Sequence, residues 1–336
     1  MDTNKIEHFF NILNESATLI QADLDSTYIG ALVETGENIL DNGLVHVEDG
    51  LPKPETVEKL EEIYQSFNLS SLTMKERKQA IQFILIKAAK EDNLQPNHQP
   101  TPDAIGVLLS HLIAIFTDSE APVHLADFSV GTGNLLYTIF VTLYAKNKQV
   151  KMTGIDNDDL LLSLASTLSA LLEIPVEFML QDALQSLLVN PVDVLVSDLP
   201  IGYYPRELKN TEFKTAFKEG YSYSHFLLIE QGLSYLKDGA YSFFLLPTST
   251  FESEEVKELL SHVQKTGHVQ SVIHLPAEWF KNEQSKKSVF VVQKKSDQSK
   301  QAKEVLIANA PAINNTEAFN TFIRDVKNWK EEQGIN

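Results

Sequence analysis

The sequence predicts a doubly wound, mostly parallel α/β sheet of seven strands, preceded by an all-helical N-terminal segment. Three observations carry this. Apolar runs of strand length recur from residue 123 to residue 295, mostly alternating with helix-length stretches. The runs are near-continuous in apolar character, as strands covered on both faces require. Residues 1–91, by contrast, show helical periodicity and almost no strand signal. A chain of 336 residues holds about two domains at roughly 150 residues each. The division is expected as a helical domain over 1–95 and a second domain over 96–336.

Within the first segment, helical spacing runs through Ile6, Phe9, Phe10 and Leu13, then through Tyr28, Leu32, Val33, Ile39 and Leu40, ending at Asn42-Gly43. A third helix fits Pro54–Phe67. A fourth fits Met74–Glu91, with Thr73 as N-cap and Glu76 at the capping-box position. The polar stretch DNLQPNHQP (92–100), with its two prolines, reads as a linker.

From Thr101 the alternation begins. A helix over 102–116 precedes a strand at 123–130, a glycine turn, and a helix from about 134 to 146. Strand 151–156, helix 160–172, strand 176–180 and strand 192–200 follow. Helix 224–236 leads into AYSFFLLP (240–247), the strongest strand of all. After helix 254–264, strands 269–276 and 288–295 lack a helix between them, so they are expected to form an antiparallel edge hairpin. Residues 305–336 offer one short strand and a terminal helix.

Composition narrows the function classes. The chain is 43% hydrophobic and contains no cysteine, which excludes disulfides, a thiol nucleophile and thiolate metal sites. Its formal charge is −18, carried by residues 1–50 and 101–200 at −9 each. Only three arginines occur (Arg77, Arg206, Arg324). Such a body repels a phosphate backbone unless a local basic patch or a partner compensates. The first twenty residues mix acids and polar groups with apolar ones, unlike a signal peptide or a membrane span. A cytoplasmic protein without membrane association is expected. The histidines show no metal-ligand spacing and read as surface or capping residues, and no metal site is expected.

The chemistry gathers at strand ends, where ligands bind in an open α/β sheet. Asp127, Asp156, Asp182 and Asp198 close four successive strands. After the first comes DFSVGTGN (127–134), whose Gly131 and Gly133 let backbone approach a ligand closely. A G-x-G alone is a weak signal, and Leu136 stands where a dinucleotide fingerprint has its third glycine. Asp156 is spaced to take both hydroxyls of a ribose, and Asp182 suits an exocyclic amine such as that of adenine. No lysine or arginine among these motifs would hold a pyrophosphate. An acidic pocket of this kind fits a cationic sulfonium nucleoside better than NAD or ATP.

At these residues the sequence resembles the class I S-adenosylmethionine (AdoMet)-dependent methyltransferases, with their Rossmann-like sheet. It is more closely similar to DNA N6-adenine methyltransferases of the type I restriction–modification subunit kind, over roughly residues 101–295. Thr101-Pro102 matches that family's first motif, whose threonine contacts the methionine carboxylate. DFSVGTGNLL matches the glycine motif, GIDND (154–158) the ribose acid, QDAL (181–184) the adenine acid, and SDLPIG (197–202) the catalytic turn, usually N/D-P-P-F/Y. The resemblance implies AdoMet binding by Thr101, Pro102, Asp127, Phe128, Gly131, Gly133, Asn134, Asp156, Asn157, Asp182, Ala183 and Asp198. It implies that Asp198 and the carbonyl of Leu199 accept from the amine, that Pro200 fixes the turn, and that an aromatic ring stacks on the flipped base.

The chain departs from the pattern at that turn. Leu199 replaces the first proline and Ile201 the aromatic, leaving Tyr203 or Tyr204 to supply a ring. Transfer to N6 of adenine in DNA is the leading expectation. An AdoMet-binding protein without catalysis, or a protein glutamine N-methyltransferase, are the alternatives. No span is long enough for a sequence-recognition domain, so DNA binding is expected to need a partner or specificity subunit. The helical segment could dock a protein partner. Lys281, Lys286, Lys287, Lys294 and Lys295 near the last hairpin, with Lys209, Lys214 and Lys218, could form a basic rim, although solvated surface lysines are the plainer reading.

Overall fold

The structure, a computed structural model, describes residues 2–117, 121–208, 212–280, 282 and 285–335. Four helices come first: α1 (Thr3–Leu24), α2 (Tyr28–Leu40), α3 (Pro54–Gln65) and α4 (Met74–Glu91). In α1, Ile6, Phe9 and Leu13 are buried, as their spacing requires. The capping box at α4 forms in full, with the Glu76 backbone donating to Thr73 and the Thr73 backbone donating to the Glu76 carboxylate. A cap of this kind contributes about 1 kcal/mol.

The remaining elements are α5 (Asp103–Phe116), β1 (Val123–Asp127), α6 (Asn134–Tyr144), β2 (Val150–Asp156), α7 (Asp159–Leu172), β3 (Val176–Leu180), β4 (Val192–Asp198), α8 (Ser224–Ser234), β5 (Leu236–Pro247), α9 (Val256–Thr266), β6 (Gly267–His274), β7 (Lys287–Lys294), β8 (Leu306–Asn309) and α10 (Thr316–Gln333). Among the described residues, the sheet has eight strands in the order β3-β2-β1-β4-β5-β7-β6-β8. Only β7, among the described residues, runs antiparallel to its neighbours, and it lies inside the sheet between β5 and β6. The expected edge hairpin is therefore internal. The short strand after residue 305 adds to β6 in parallel and becomes the edge, which raises the count from seven to eight.

Strand β5 shows why its sequence is apolar throughout. Phe243 and Leu245 face the core shared with α5, α6 and α7, while Phe244 and Leu246 face α8 and α9. The first of these cores continues outward into α1, α2 and α4. Two adjacent α4 side chains fasten that outer layer. Arg77 Nη1 donates to the Leu171 carbonyl at 3.1 Å and pairs with Glu173 at the carboxyl end of α7. Lys78 pairs with Asp103 in the first turn of α5 at 2.9 Å. Among the described residues, no helix is long and apolar enough to cross a membrane.

Candidate functional site

Strand order reverses between β1 and β4, the switch point where a doubly wound sheet opens a crevice at its carboxyl edge. Three cavities meet there. The first, about 270 Å³, is lined by Phe128, Gly131, Asp156, Asn157, Asp182, Ala183, Pro200 and Tyr204. The second is a recess of about 30 Å³ beside Thr101, Gly131, Thr132, Asn134, Leu199 and Lys287. The third, about 490 Å³, is walled by Pro102, Ile105, Ile201, Pro247, Trp279, Phe280 and Lys287. Asp198 and Asn97 line all three.

The turn after β1 is built by hydrogen bonds that its acids accept. Gly131 (φ +51°) donates its backbone N–H to Asp156 Oδ2 at 2.7 Å, and Asp158 N–H donates to Asp156 Oδ1 at 3.0 Å. Burial still raises the Asp156 carboxyl above its ordinary range. A Cβ on Gly131 would meet nothing within 4 Å, because it would point into the crevice. Gly133 (φ +77°) differs: its Cβ would strike the Tyr137 hydroxyl at 2.3 Å. It sits under the turn and starts α6.

Asp127 also lies beneath the crevice and lines none of the three cavities. The residue is 1% exposed, and its carboxyl accepts from Ser197 Oγ at 2.7 Å and from Ser129 N at 3.0 Å and is pushed up to about 7 by burial. Ser129 Oγ in turn lies 2.6 Å from Ser197 Oγ. Asp127 thus holds the turn to β4. Asp182 accepts from the Leu184 backbone and, at 2.7 Å, from the Tyr204 hydroxyl.

At the end of β4, both Asp198 oxygens are engaged. Thr101 Oγ1 donates to Oδ2 at 2.9 Å, and the Lys287 ammonium lies against Oδ1. Thr101, expected to face a ligand carboxylate, here turns its hydroxyl to Asp198. Asn134 gives its amide N–H groups to the Thr101 carbonyl at 2.7 Å and to Asp103 Oδ1 at 2.9 Å. Its own Oδ1 is buried without a partner.

Tyr203 falls outside the crevice. The residue is 59% exposed, and its ring stacks on Tyr223 at 4.9 Å. Tyr204 is the tyrosine that turns inward, and it does so on the Asp182 side. Rings on the other side of Asp198 come instead from Trp279 and Phe280, which sequence reasoning missed; the run VIHLPAEWF was their only signal. The stretch 92–100 is not a free linker. Its residues 96–99 lie on the crevice, and Asn97 exchanges two hydrogen bonds with the Ile201 backbone, at 2.8 and 3.0 Å. His98, expected at the surface, lines the first two cavities, and Arg206 adds a cation to the rim of the first.

The lysines near the last hairpin do not form one rim. Lys287 and Lys294 open and close β7, so seven residue steps of about 3.4 Å each part them along the strand. Lys294 donates to the Leu236 carbonyl at the far edge. Lys214 and Lys218 are exposed, and Lys209 and Lys281 lie outside the described residues.

A sheet ordered β3-β2-β1-β4-β5-β7-β6 with β7 antiparallel, and a glycine turn facing acids at successive strand ends, define a class I methyltransferase fold. A Listeria monocytogenes protein, crystallised as a candidate class I S-adenosylmethionine-dependent methyltransferase, is 35% identical, with a TM-score of 0.90 over 98% of this chain and 99% of its own. Residues 79–332 match the N-6 DNA methylase family, and the chain belongs to that family. Residues 7–89 match the YtxK N-terminal helical domain. The uncharacterized Bacillus subtilis protein YtxK is 32% identical over 99% of this chain and 100% of its own length. A type I restriction–modification methyltransferase subunit from Streptococcus thermophilus shares the fold, at a TM-score of 0.66 and 15% identity over 93% of this chain and 73% of its own.

Proposed function

We propose that the chain binds AdoMet across the carboxyl ends of β1, β2 and β4 and transfers its methyl group to an exocyclic or amide nitrogen, with N6 of adenine in DNA as the acceptor. One observation carries the reading: Asp198 is the wall between the acid-lined cavity and the cavity with the aromatic rings. The donor set fits the cofactor. Asp156 and Asp182 suit its ribose and adenine, the open side of Gly131 leaves room for its backbone approach, and Asn134 Oδ1 awaits a donor. When bound, AdoMet supplies an electrophilic methyl group.

The protein's own part is positioning and electrostatics. An exocyclic amine is a weak nucleophile because its lone pair conjugates into the ring. Asp198 and the Leu199 carbonyl, accepting hydrogen bonds from its two N–H groups, draw it toward tetrahedral geometry and stabilise the positive charge that develops; the methylated nitrogen then sheds one of these protons by way of Asp198 to solvent. Trp279 and Phe280 offer the planar base an apolar wall where Ile201 offers none. Lys287 must leave Asp198 for this to happen.

We read residues 1–95 as the helical domain and 96–336 as the methyltransferase domain. DNA would be engaged with a specificity partner, as the acidic body requires, and the helical domain is the candidate surface for a protein partner. The Lys287–Asp198 pair and the aliphatic Ile201 favour a second reading, an AdoMet-binding protein that does not transfer. Labelled-methyl incorporation into adenine-containing DNA, with and without cellular extract as a source of partners, tests the two. Incorporation that is lost in Asp198→Ala supports transfer. AdoMet binding without incorporation into any DNA or protein fraction supports the second reading.

A further inference from the structure

We propose that Lys78, a residue of the N-terminal helices, is a positioning residue for the cofactor crevice: through Asp103 it fixes the Asn134 amide so that its carbonyl oxygen receives the ammonium of the ligand's amino-acid end. The inference rests on the AdoMet reading above. Lys78 is 5% exposed, and its ammonium reaches both Asp103 oxygens at 2.9 Å. Asp103 Oδ1 also accepts from Asn134 Nδ2 at 2.9 Å and from Thr138 Oγ1 at 3.2 Å. Asp103 is thus the hub of a network whose other end is Thr101 on Asp198.

The orientation of the amide follows from chemistry. Its nitrogen lies between two acceptors, the Asp103 carboxylate and the Thr101 carbonyl, neither of which can bond the amide oxygen. The oxygen is therefore turned away from both and is buried without a donor. An unsatisfied buried acceptor is unfavourable, so a donor brought by a ligand is rewarded beyond an ordinary hydrogen bond. The recess beside Asn134 holds about 30 Å³ and shares a wall with the Asp198 carboxylate. Lys287 also lines the recess and both Asp198 oxygens are already engaged, so Asn134 Oδ1 is the acceptor left for one incoming ammonium. Without Lys78, the partly exposed Asp103 carboxylate loses the cation that holds it against α4 and is free to turn toward solvent. A turned carboxylate no longer accepts from Asn134 Nδ2, and the amide loses the bond that aims its oxygen into the recess.

The test compares two ligands by calorimetric titration: AdoMet, and 5′-methylthioadenosine, the same nucleoside without the amino-acid end. In Lys78→Met, AdoMet affinity falls by about tenfold, while methylthioadenosine affinity changes by less than about twofold. Asn134→Ala shows the same selective loss and keeps the test available if Lys78→Met does not fold. Equal losses for both ligands, or no loss for either, overturn the proposal. Failure of wild-type protein to bind AdoMet would instead refute the cofactor reading itself, so the two failures are told apart.

Discussion

The Lys287 ammonium, on β7, lies against Asp198 Oδ1 at the end of β4, while Thr101 holds the other oxygen. The proposed acceptor carboxylate is thereby neutralised by a residue 89 positions away. An incoming amine competes with that lysine. A partly exposed pair of this kind is worth about 1 kcal/mol, so Lys287→Met is expected to raise methyl transfer at saturating AdoMet about fivefold. Initial rates at saturating AdoMet check this. Loss of transfer with cofactor binding intact would make Lys287 a participant instead.

Asp127 makes stability depend on pH in a defined direction. Its folded carboxyl titrates near 7, against 3.8 for the ordinary group, because it is buried. Between these values the unfolded chain has released the proton and the folded chain has kept it. The stabilisation from this group is complete below about pH 4, drains as pH rises to about 7, and is flat above. Asp127→Asn removes the titration and keeps an acceptor for Ser197. The variant should match wild type near pH 4 and exceed it by up to about 4 kcal/mol at pH 8. Denaturant midpoints across that range are the measurement.

Gly131 and Gly133 should separate binding from folding. Gly131→Ala incurs about 1 kcal/mol of left-handed strain and fills the crevice, so AdoMet affinity falls more than about tenfold with a small change in Tm. Gly133→Ala adds an overlap with Tyr137 at 2.3 Å to the same strain. It should destabilise the fold by about 2–4 kcal/mol, read from chemical denaturation.

Asn97→Ala removes both hydrogen bonds that tie residues 96–99 to Ile201. Amide hydrogen exchange at Ile201 should quicken by about tenfold, while core strand β5 keeps its protection. The same variant should weaken acceptor binding, since Asn97 and Ile201 share the third cavity.

What the sequence disclosed, and what it hid, divides along chain separation. Apolar runs revealed the strands, and the strand ends revealed Asp156, Asp182 and Asp198, because each belongs to its own element. The internal place of β7 was hidden, since a helix-free gap between two strands tells their hairpin but not which neighbour β7 takes on its other side. Lys287 was seen as one lysine in a loose group, because only the register of β7 against β5 brings it to Asp198. Asn97 meets Ile201 across 104 positions, and no local pattern marks such a pair. Tyr203 and Tyr204 are adjacent, and backbone direction alone decided which turns inward. Asp127 looked like the other strand-end acids. Its burial under the turn follows from Ser197 and Ser129 closing over it.

The most direct measurement is calorimetric titration of wild-type protein and Asp156→Ala with AdoMet, ATP and NAD. A crevice that grips a sulfonium nucleoside through carboxylates should bind AdoMet saturably, lose at least about tenfold on Asp156→Ala, and take up neither phosphorylated nucleotide. Tighter binding of ATP or NAD than of AdoMet, or AdoMet affinity indifferent to Asp156, would contradict the account.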